Sequence, residues 1–309
     1  MTLKNKDLLG MKELTAEEIT LILDMAATMK VALLSQNKKT SHLQGKSVVT
    51  LFYENSTRTR LSFEMASKFM GAASANISAS GSSVSKGESL IDTAKTIDVM
   101  ATDIIVMRHS QSGAPHFIAP HVEASVVNAG DGMNEHPTQA LLDMFTMRER
   151  FGTLKNLEVA ICGDIYHSRV ARSNAVGLSK MGARVKLSGP RTLLPVGIEK
   201  MGCEVFHDVR EAVTDAHVVM GLRLQLERQS KSLFPSVSEY ARYYGISEEV
   251  VGLARKEALV MHPGPCNHGV EMSTLVHECD QSVIHDQVTN GVAVRMAILY
   301  LLIARRNQK

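Results

Sequence analysis

The chain has 309 residues, which at about 150 residues per domain predicts two domains. Lys and Arg total 34 and Asp and Glu 32, so a net charge of +2 argues against a basic nucleic-acid-coating face. Aromatic residues make up only 5% and tryptophan is absent, which argues against a base-stacking surface. The cysteines form no CxxC pair, and the N-terminus is polar. The longest apolar run, Met296–Ala304, is about half as long as a membrane span. These features predict a cytoplasmic protein without a membrane segment.

The first half of the chain alternates between helical and strand patterns. Thr15 and Glu18 have capping-box spacing, and apolar residues then recur at helical intervals as far as Met29. A second helix is predicted from Ser56 to near Gly71. Runs of β-branched or uniformly apolar residues predict strands at 48–53, 104–107 and, more weakly, 126–127.

The second half repeats this alternation, with a helix from about Val170 to Met181 and a basic-ended helix from Val292 to Arg306. Strands are predicted at 159–162, 185–187, 218–220 and 259–261. Apolar strands alternating with helices predict an α/β fold of two doubly wound parallel-sheet domains joined by helices. We expect one domain from residues 1–137 plus 291–309 and the other from residues 138–290, with a boundary in a helix starting near Pro137.

The strongest chemical signal is the segment Ser56–Arg60, which follows a predicted strand and opens a predicted helix. Hydroxyls and arginines added to the free N–H groups of a helix start favour a phosphate site. The alternative is simple capping by Ser56 with surface arginines. The segment is not a Walker loop, and no acidic pair suggests magnesium, so a small phosphorylated metabolite bound without a metal is expected.

Two further segments could contact such a ligand. The Gly- and Ser-rich stretch Ser80–Glu88 is typical of a mobile loop, from which Lys86 could reach a phosphate; a solvated linker is the alternative. His136 precedes Pro137, a favoured first helical residue, so the helix dipole disfavours its cationic form. A neutral imidazole there can donate to a carbonyl oxygen, whereas a structural histidine is the alternative.

Arginines follow predicted strands at 108, 169 and 223, where ligands of open α/β sheets bind. Guanidinium groups there suit carboxylates or phosphates, although each arginine alone could be a surface residue. His262, Cys266 and His268 form no closed four-ligand zinc set, and Cys266 with His268 makes a poor nucleophilic pair. No GxGxxG pattern follows the strand before Gly163, which argues against a dinucleotide site. We therefore expect neither a metal nor a cofactor.

Together these segments resemble the aspartate/ornithine carbamoyltransferase family over nearly the whole chain. Motifs shared by both branches match Phe52-x-x-x-Ser56-Thr57-Arg58-Thr59-Arg60-x-Ser62-Phe63-Glu64 and His136-Pro137-Thr138-Gln139. Features of the aspartate branch match Ser82–Glu88, Arg223-x-Gln225-x-Glu227-Arg228 and His262-Pro263-Gly264-Pro265. The resemblance implies carbamoyl transfer from carbamoyl phosphate to L-aspartate, the committed step of pyrimidine synthesis.

The resemblance also implies roles for individual residues. It assigns the phosphate to Ser56, Thr57, Arg58 and Thr59, and the carbamoyl oxygen to Thr59, Arg108 and His136. It assigns the carbamoyl nitrogen to Gln139. For aspartate it implies Arg169, Arg223 and Gln225, with the backbone of Gly264 and Pro265 orienting the amine. Ser82 and Lys86 would come from a neighbouring subunit of a homotrimer with shared active sites.

The resemblance leaves several points open. Regulatory chains or a dihydroorotase could bind the trimer, another amine could replace aspartate, and an inactive regulatory homologue is a further alternative. The chain also departs from common family residues at Glu135, Gly264 and His268. We hypothesise that Glu135 raises the pKa of His136 and that His268 weakens a contact used in domain closure.

Overall fold

The computed structural model describes residues 2–78, 87–226 and 233–308. Contacts within the chain divide it into unit 1, Met1–Phe145 with Thr289–Lys309, and unit 2, Thr146–Val288. Both divisions fall inside helices that run from one unit into the other. The expected domain limits of 1–137 plus 291–309 and 138–290 stay a prediction about the functional domains.

In the described residues the strands are β1 Ser47–Phe52, β2 Ala73–Ser78, β3 Ile104–His109, β4 Ser125–Asp131, β5 Glu158–Cys162, β6 Arg184–Ser188, β7 Cys203–Phe206, β8 Val218–Gly221 and β9 Leu259–Met261. The helices of the same residues are α1 Ala16–Leu34, α2 Thr57–Phe69, α3 Leu90–Val99, α4 Ala114–Ile118, α5 Pro137–Phe151, α6 Arg169–Lys180, α7 Val209–Val213, α8 Val237–Tyr244, α9 Glu248–Val251, α10 Thr274–His277 and α11 Ile284–Arg306.

Unit 1 contains a parallel sheet in the order β2-β1-β3-β4. Strand β4 is buried at every residue and β3 is buried from Ile104 to Met107, as is typical of parallel strands covered on both faces. The core beside the sheet includes Leu51, Ile105, Met107 and Val126. The strand order reverses between β1 and β3, so the first switch point of the fold lies at their carboxyl ends.

Unit 2 contains a parallel sheet in the order β7-β6-β5-β8-β9. Its core packs Val219, Val260, Ala212 and Val250 around the central strands. Here the strand order reverses between β5 and β8, which defines the second switch point. The two sheets confirm the predicted fold of doubly wound parallel α/β domains.

Local sequence signals located most of these elements. The capping box of α1 forms as predicted, since the Thr15 hydroxyl accepts from the Glu18 backbone N–H and the Glu18 carboxylate accepts from Thr15. Strand β2 was missed because its small and polar residues lie largely exposed at the sheet edge. Strand β7 was missed because the exposed Glu204 interrupts its short apolar run.

Helix α11 begins at Ile284, earlier than the predicted Val292, because its first turns carry polar residues that hide the helical pattern. It is long and apolar enough to cross a membrane by length and composition alone. Most of its apolar stretch is nevertheless buried within the chain, from Ala293 to Ile303. Core helices pass the same test, so its length does not by itself indicate a membrane span.

Candidate active site

The first switch point brings the predicted phosphate segment beside Arg108. Phe52, the last residue of β1, lies opposite Arg108 of β3 in the sheet register. The Tyr53 backbone N–H donates to the Arg108 carbonyl oxygen at 2.8 Å, which keeps the two strand ends together. The chain then reaches Ser56 and enters α2 at Thr57. The start of α2 and the end of β3 therefore share one edge of the sheet.

The start of α2 has the features of an anion site. Ser56 occupies the N-cap position in an extended conformation, yet its side chain makes no capping hydrogen bond. Thr57 and Arg58 are exposed, whereas Thr59 is buried. The capping alternative therefore does not account for the Ser56 hydroxyl. Backbone N–H groups and the positive end of the helix dipole remain to attract an anion.

Arg108 is held by Glu54, a residue that the sequence reasoning missed. Arg108 Nη2 lies 2.5 Å from Glu54 Oε1, and Nη1 donates to the Ala129 carbonyl at 3.4 Å. The Arg108 side chain is only 12% exposed, so these contacts fix its guanidinium at the carboxyl end of β3. The only sequence signal for Glu54 is its position in the turn between β1 and α2.

His136 lies at the boundary of α5, as its sequence context predicts. Its carbonyl oxygen accepts from the backbone N–H groups of Gln139 at 3.0 Å and Ala140 at 3.2 Å, and α5 begins at Pro137. The His136 side chain is buried, with Nδ1 at 3.5 Å from the Thr138 hydroxyl. The Gln139 amide donates from Nε2 to Asp143 Oδ1 at 2.9 Å.

A buried carboxylate shapes the turn that carries His136. Asp131 ends β4 and accepts from the backbone N–H of Gly113 at 2.6 Å and of Glu135 at 3.1 Å. It also accepts from Asn134 Nδ2 at 3.0 Å. Since β4 pairs with β3 through His109 and Asp131, this turn begins at the same sheet edge as Arg108. Unit 1 thus places the described carbamoyl phosphate candidates, from Ser56 to Gln139, at or after the carboxyl ends of β1, β3 and β4.

The second switch point depends on a glycine. Cys162 of β5 lies opposite Gly221 of β8, and the Leu222 backbone N–H donates to the Cys162 carbonyl at 2.8 Å. Gly163 has a φ of +136°, and a Cβ there would lie 2.7 Å from the Leu222 carbonyl oxygen. Only glycine allows the two strand ends to leave the sheet side by side.

Asp164 ties the segments after β5 and β8 together. Its carboxylate faces His167 Nδ1 at 2.9 and 3.0 Å and accepts from the Gln225 backbone N–H at 3.2 Å. The Gln225 side chain in turn donates from Nε2 to the His167 carbonyl at 3.3 Å. Arg169, the first residue of α6, is buried just beyond this network. The aspartate candidates Arg169 and Gln225 are therefore brought to one edge of the sheet.

The remaining aspartate candidates follow β8 and β9, which pair side by side. Arg223 is partly buried just after β8. Beyond β9, Gly264 has a φ of +67° and is joined to Pro265 by a cis peptide bond. The positive φ explains a glycine at this position, where the chain departs from common family residues. Ser82 and Lys86 lie outside the described residues, as do Glu227 and Arg228.

Family models match both parts of the chain. The model for the "carbamoyl-P binding domain" of aspartate/ornithine carbamoyltransferase matches residues 6–149, and its "Asp/Orn binding domain" matches residues 155–302. The chain belongs to the aspartate/ornithine carbamoyltransferase family. The first match contains the switch point of unit 1 and the second contains that of unit 2.

Among members of the family, the chain is similar to the aspartate carbamoyltransferase catalytic subunit of Ruminiclostridium cellulolyticum, with 66% identity over 99% of this chain and 97% of the relative. It is 64% identical to the Acetivibrio thermocellus catalytic subunit, over 99% of this chain and 98% of that one. A structure of Trypanosoma cruzi aspartate transcarbamoylase in complex with carbamoyl aspartate and phosphate superposes with a TM-score of 0.87, at 29% identity and 96% coverage of both chains.

Glu135, one departure from the family pattern, contacts the N-terminal segment. Its Oε2 accepts from the Met11 backbone N–H at 2.8 Å, and a Cβ at Gly10 would lie 2.7 Å from its Oε1. Its effect on the pKa of His136 stays a prediction. The other departure, His268, is exposed and packs edge-on against the His277 ring at 4.6 Å, and its effect on domain closure likewise stays a prediction.

His262, Cys266 and Glu271 form a cluster whose candidate ligand atoms lie within 4.8 Å of one another. The Gly264 backbone N–H donates to His262 Nδ1, so the neutral imidazole carries its proton on Nε2, which faces Glu271 at 3.5 Å. Burial and Glu271 raise the pKa of the Cys266 thiol to about 12. The bond from Gly264 to His262 and a bond from the Asn267 backbone N–H to Glu271 Oε1 at 2.6 Å close the loop after β9 on itself.

Proposed function

We propose that the chain transfers the carbamoyl group of carbamoyl phosphate to L-aspartate, giving N-carbamoyl-L-aspartate and phosphate in pyrimidine synthesis. The observation that supports this most is that both sheets carry arginine side chains at their switch points. Arg108 lies at the first, beside the start of α2. Arg169 and Arg223 flank the second.

In this proposal unit 1 binds carbamoyl phosphate. Ser56, Thr57, Arg58 and Thr59 hold the phosphate at the start of α2, where unpaired N–H groups and the helix dipole favour an anion. Arg108, His136 and Thr59 donate to the carbamoyl oxygen, and Gln139 binds the carbamoyl nitrogen. Each donor that stabilises the oxyanion of a tetrahedral intermediate contributes about 3–4 kcal/mol to catalysis.

Unit 2 binds L-aspartate. Arg169, Arg223 and Gln225 hold its two carboxylates, and the backbone carbonyls at Gly264 and Pro265 orient its amine. A cationic ornithine side chain would be repelled by guanidinium groups, which favours aspartate as acceptor. The Asp164 network keeps the Gln225 backbone in place before substrate binds.

The reaction forms a carbon–nitrogen bond and breaks a carbon–oxygen bond. The aspartate amine attacks the carbamoyl carbon, the carbonyl oxygen gains negative charge, and phosphate leaves with the electron pair. The departing phosphate accepts the proton from the amine, so no separate protein base is needed. Alignment of two bound reactants can lower the barrier by about 7–11 kcal/mol.

The assembly and location belong to the same proposal. The enzyme acts in the cytoplasm as a homotrimer, in which Ser82 and Lys86 from one subunit complete the site of its neighbour. Mixing inactive Lys86→Ala chains with inactive Arg58→Ala chains should then restore part of the activity. No recovery after subunit exchange would contradict shared sites.

The activity itself is tested by product analysis. The purified chain is incubated with carbamoyl phosphate and either L-aspartate or L-ornithine, and the carbamoylated products are quantified by mass spectrometry. We expect carbamoyl aspartate and only background citrulline. Preferential citrulline formation would assign a different acceptor, and no product with either amine would support an inactive homologue. Native mass measurement of the same sample tests the trimer.

A further inference from the structure

A chain of buried polar side chains runs from Gln139 to the second turn of α2. Gln139 Nε2 donates to Asp143 Oδ1 at 2.9 Å, one turn along α5. Arg295 of α11 interacts electrostatically with Asp143 and donates from Nη1 to the Ser62 hydroxyl at 2.9 Å. These residues all belong to unit 1, so the chain links α5, α11 and α2 within one body.

The charged members of this chain, Asp143 and Arg295, are both buried. Asp143 is fully buried and Arg295 is 4% exposed. Burial lowers the pKa of Arg295 to about 10, against the opposing effect of Asp143, so Arg295 stays a cation at neutral pH. A buried cation is strongly unfavourable without a nearby anion. The fold thus places a buried cation and a carboxylate that attract each other next to Gln139, a residue proposed to bind substrate.

The Arg295 guanidinium lies close to residues of α2 and α11. Its guanidinium lies over the Phe63 ring at 5.1 Å, next to Ser62. A Cβ at Gly291, one turn earlier on α11, would lie 2.6 Å from Arg295 Nη1. Glycine at 291 and the Phe63 ring therefore border the space that the guanidinium occupies beside Ser62 of α2.

We propose that Asp143 and Arg295 are positioning residues, which fix the Gln139 side chain so that its amide oxygen accepts from the carbamoyl NH₂ group. This inference rests on the proposed role of Gln139. An ionised carboxylate can only accept hydrogen bonds, so it selects the NH₂ end of the Gln139 amide. The oxygen end then faces away from Asp143, and the carbamoyl NH₂, which can only donate, finds an acceptor.

An exchange of amide and carboxylate tests this orientation. In Asp143→Asn the Arg295 cation attracts the Asn oxygen, so the Asn NH₂ faces Gln139 and turns the Gln139 amide around. The carbamoyl NH₂ group then faces the NH₂ group of Gln139, and neither can accept a hydrogen bond. We expect carbamoyl phosphate to bind about 10- to 100-fold more weakly by calorimetry. Binding of inorganic phosphate, which lacks the carbamoyl group, should stay unchanged.

The double variant Asp143→Asn with Gln139→Glu restores an acceptor, because one Glu oxygen takes the Asn NH₂ bond and the other faces the substrate. We expect it to recover most of the carbamoyl phosphate affinity, whereas Gln139→Glu alone places two carboxylates together and should bind most weakly. A purely structural role for Asp143 would weaken both ligands alike, with no recovery in the double variant.

Two milder variants keep the test decisive if Asp143→Asn folds poorly. Arg295→Lys keeps a cation beside Asp143 but loses the planar group that reaches Ser62, and Ser62→Ala removes the same bond from its other end. Both should weaken carbamoyl phosphate more than phosphate. Arg305→Ala, on the exposed end of α11, is the matched control and should bind like the parent.

The outcomes separate this inference from the proposed function. If the parent binds carbamoyl phosphate but carbamoylates no aspartate, the proposed acceptor is wrong. The positioning role is then still tested by the ratio of carbamoyl phosphate affinity to phosphate affinity in the variants. If Asp143→Asn and Arg295→Lys keep the parent's ratio of carbamoyl phosphate to phosphate affinity, the positioning role is wrong. If the parent does not bind carbamoyl phosphate, both are wrong.

Discussion

The two switch points use different kinds of backbone to hold their candidate side chains. At the first, Arg108 lies inside β3 and Thr59 inside α2, with His136 directly before α5. At the second, Arg169 opens α6, whereas Arg223 and Gln225 follow β8 in a segment without regular structure. Regular elements hold side chains more rigidly than loops, so the first site is set by the fold itself.

This difference matches what a transferase family has to keep and what it can change. The family model for unit 1 names one ligand, whereas that for unit 2 names two alternative amino acids. A donor site built on strands and helices can stay constant while loops at the other switch point exchange acceptors. In this chain the loops are not free, however, because the buried Asp164 ties them to β5.

The largest expected effect is at the first switch point. Arg58→Ala removes the cation at the start of α2 and should lower kcat by about 10²–10³-fold. The reason is that Arg58 is proposed to stabilise the charge that develops on the leaving phosphate. Lys68→Ala, in the last turn of the same helix, is the control because the exposed Lys68 pairs with Glu64 one turn earlier on that helix. Near-normal turnover of Arg58→Ala would refute its role.

The second prediction concerns the tie at the other switch point. Asp164→Ala removes the acceptor of the Gln225 backbone N–H and should raise KM for aspartate about tenfold or more. Carbamoyl phosphate affinity should hardly change, because its proposed site lies in the other unit. Asp208→Ala, an exposed helix cap in unit 2, should leave both values unchanged. Equal losses for both substrates would argue that Asp164 only stabilises the fold.

A smaller effect is expected from the glycine between β5 and Asp164. Gly163→Ala adds a methyl group against the Leu222 carbonyl at a positive φ, and such strain typically costs about 1–3 kcal/mol. Gly152→Ala is the matched control, because its φ is also positive but nothing lies within 4 Å of the added carbon. Urea unfolding should show a larger loss for Gly163→Ala. Equal losses in the free energy of unfolding would mean that the close approach of the two strand ends does not contribute to stability.

The smallest effect is the pH dependence of stability near the end of unit 2. Burial and then His268, His262 and His285 lower the pKa of His277, with Glu278 opposing them. A lowered pKa means that folding favours the neutral ring, so this stabilisation is present above the ordinary histidine pKa of about 6.5 and is lost as pH falls below it. On acidification, the melting temperature of His277→Gln should fall by less than that of the parent. Parallel pH curves for the two proteins would contradict this.

Sequence patterns located the parts of both sites that are local in the chain. The capping position of Ser56 and the helix start after His136 follow from neighbouring residues, and the structure has both. The pairs Glu54–Arg108 and Asp143–Arg295 could not be found this way, because packing of distant segments decides them. The approach of Glu271 to His262 and Cys266 could not be found this way either, because it depends on how the loop after β9 folds back.

The division of labour between the switch points is tested most directly by calorimetric titration of carbamoyl phosphate alone into the parent, Arg58→Ala and Arg223→Ala. Loss of a charged hydrogen bond at the phosphate should weaken binding at least about tenfold in Arg58→Ala. Arg223→Ala should bind like the parent, because Arg223 is proposed to bind aspartate and not carbamoyl phosphate. Equal weakening in both variants, or none in Arg58→Ala, would contradict this account.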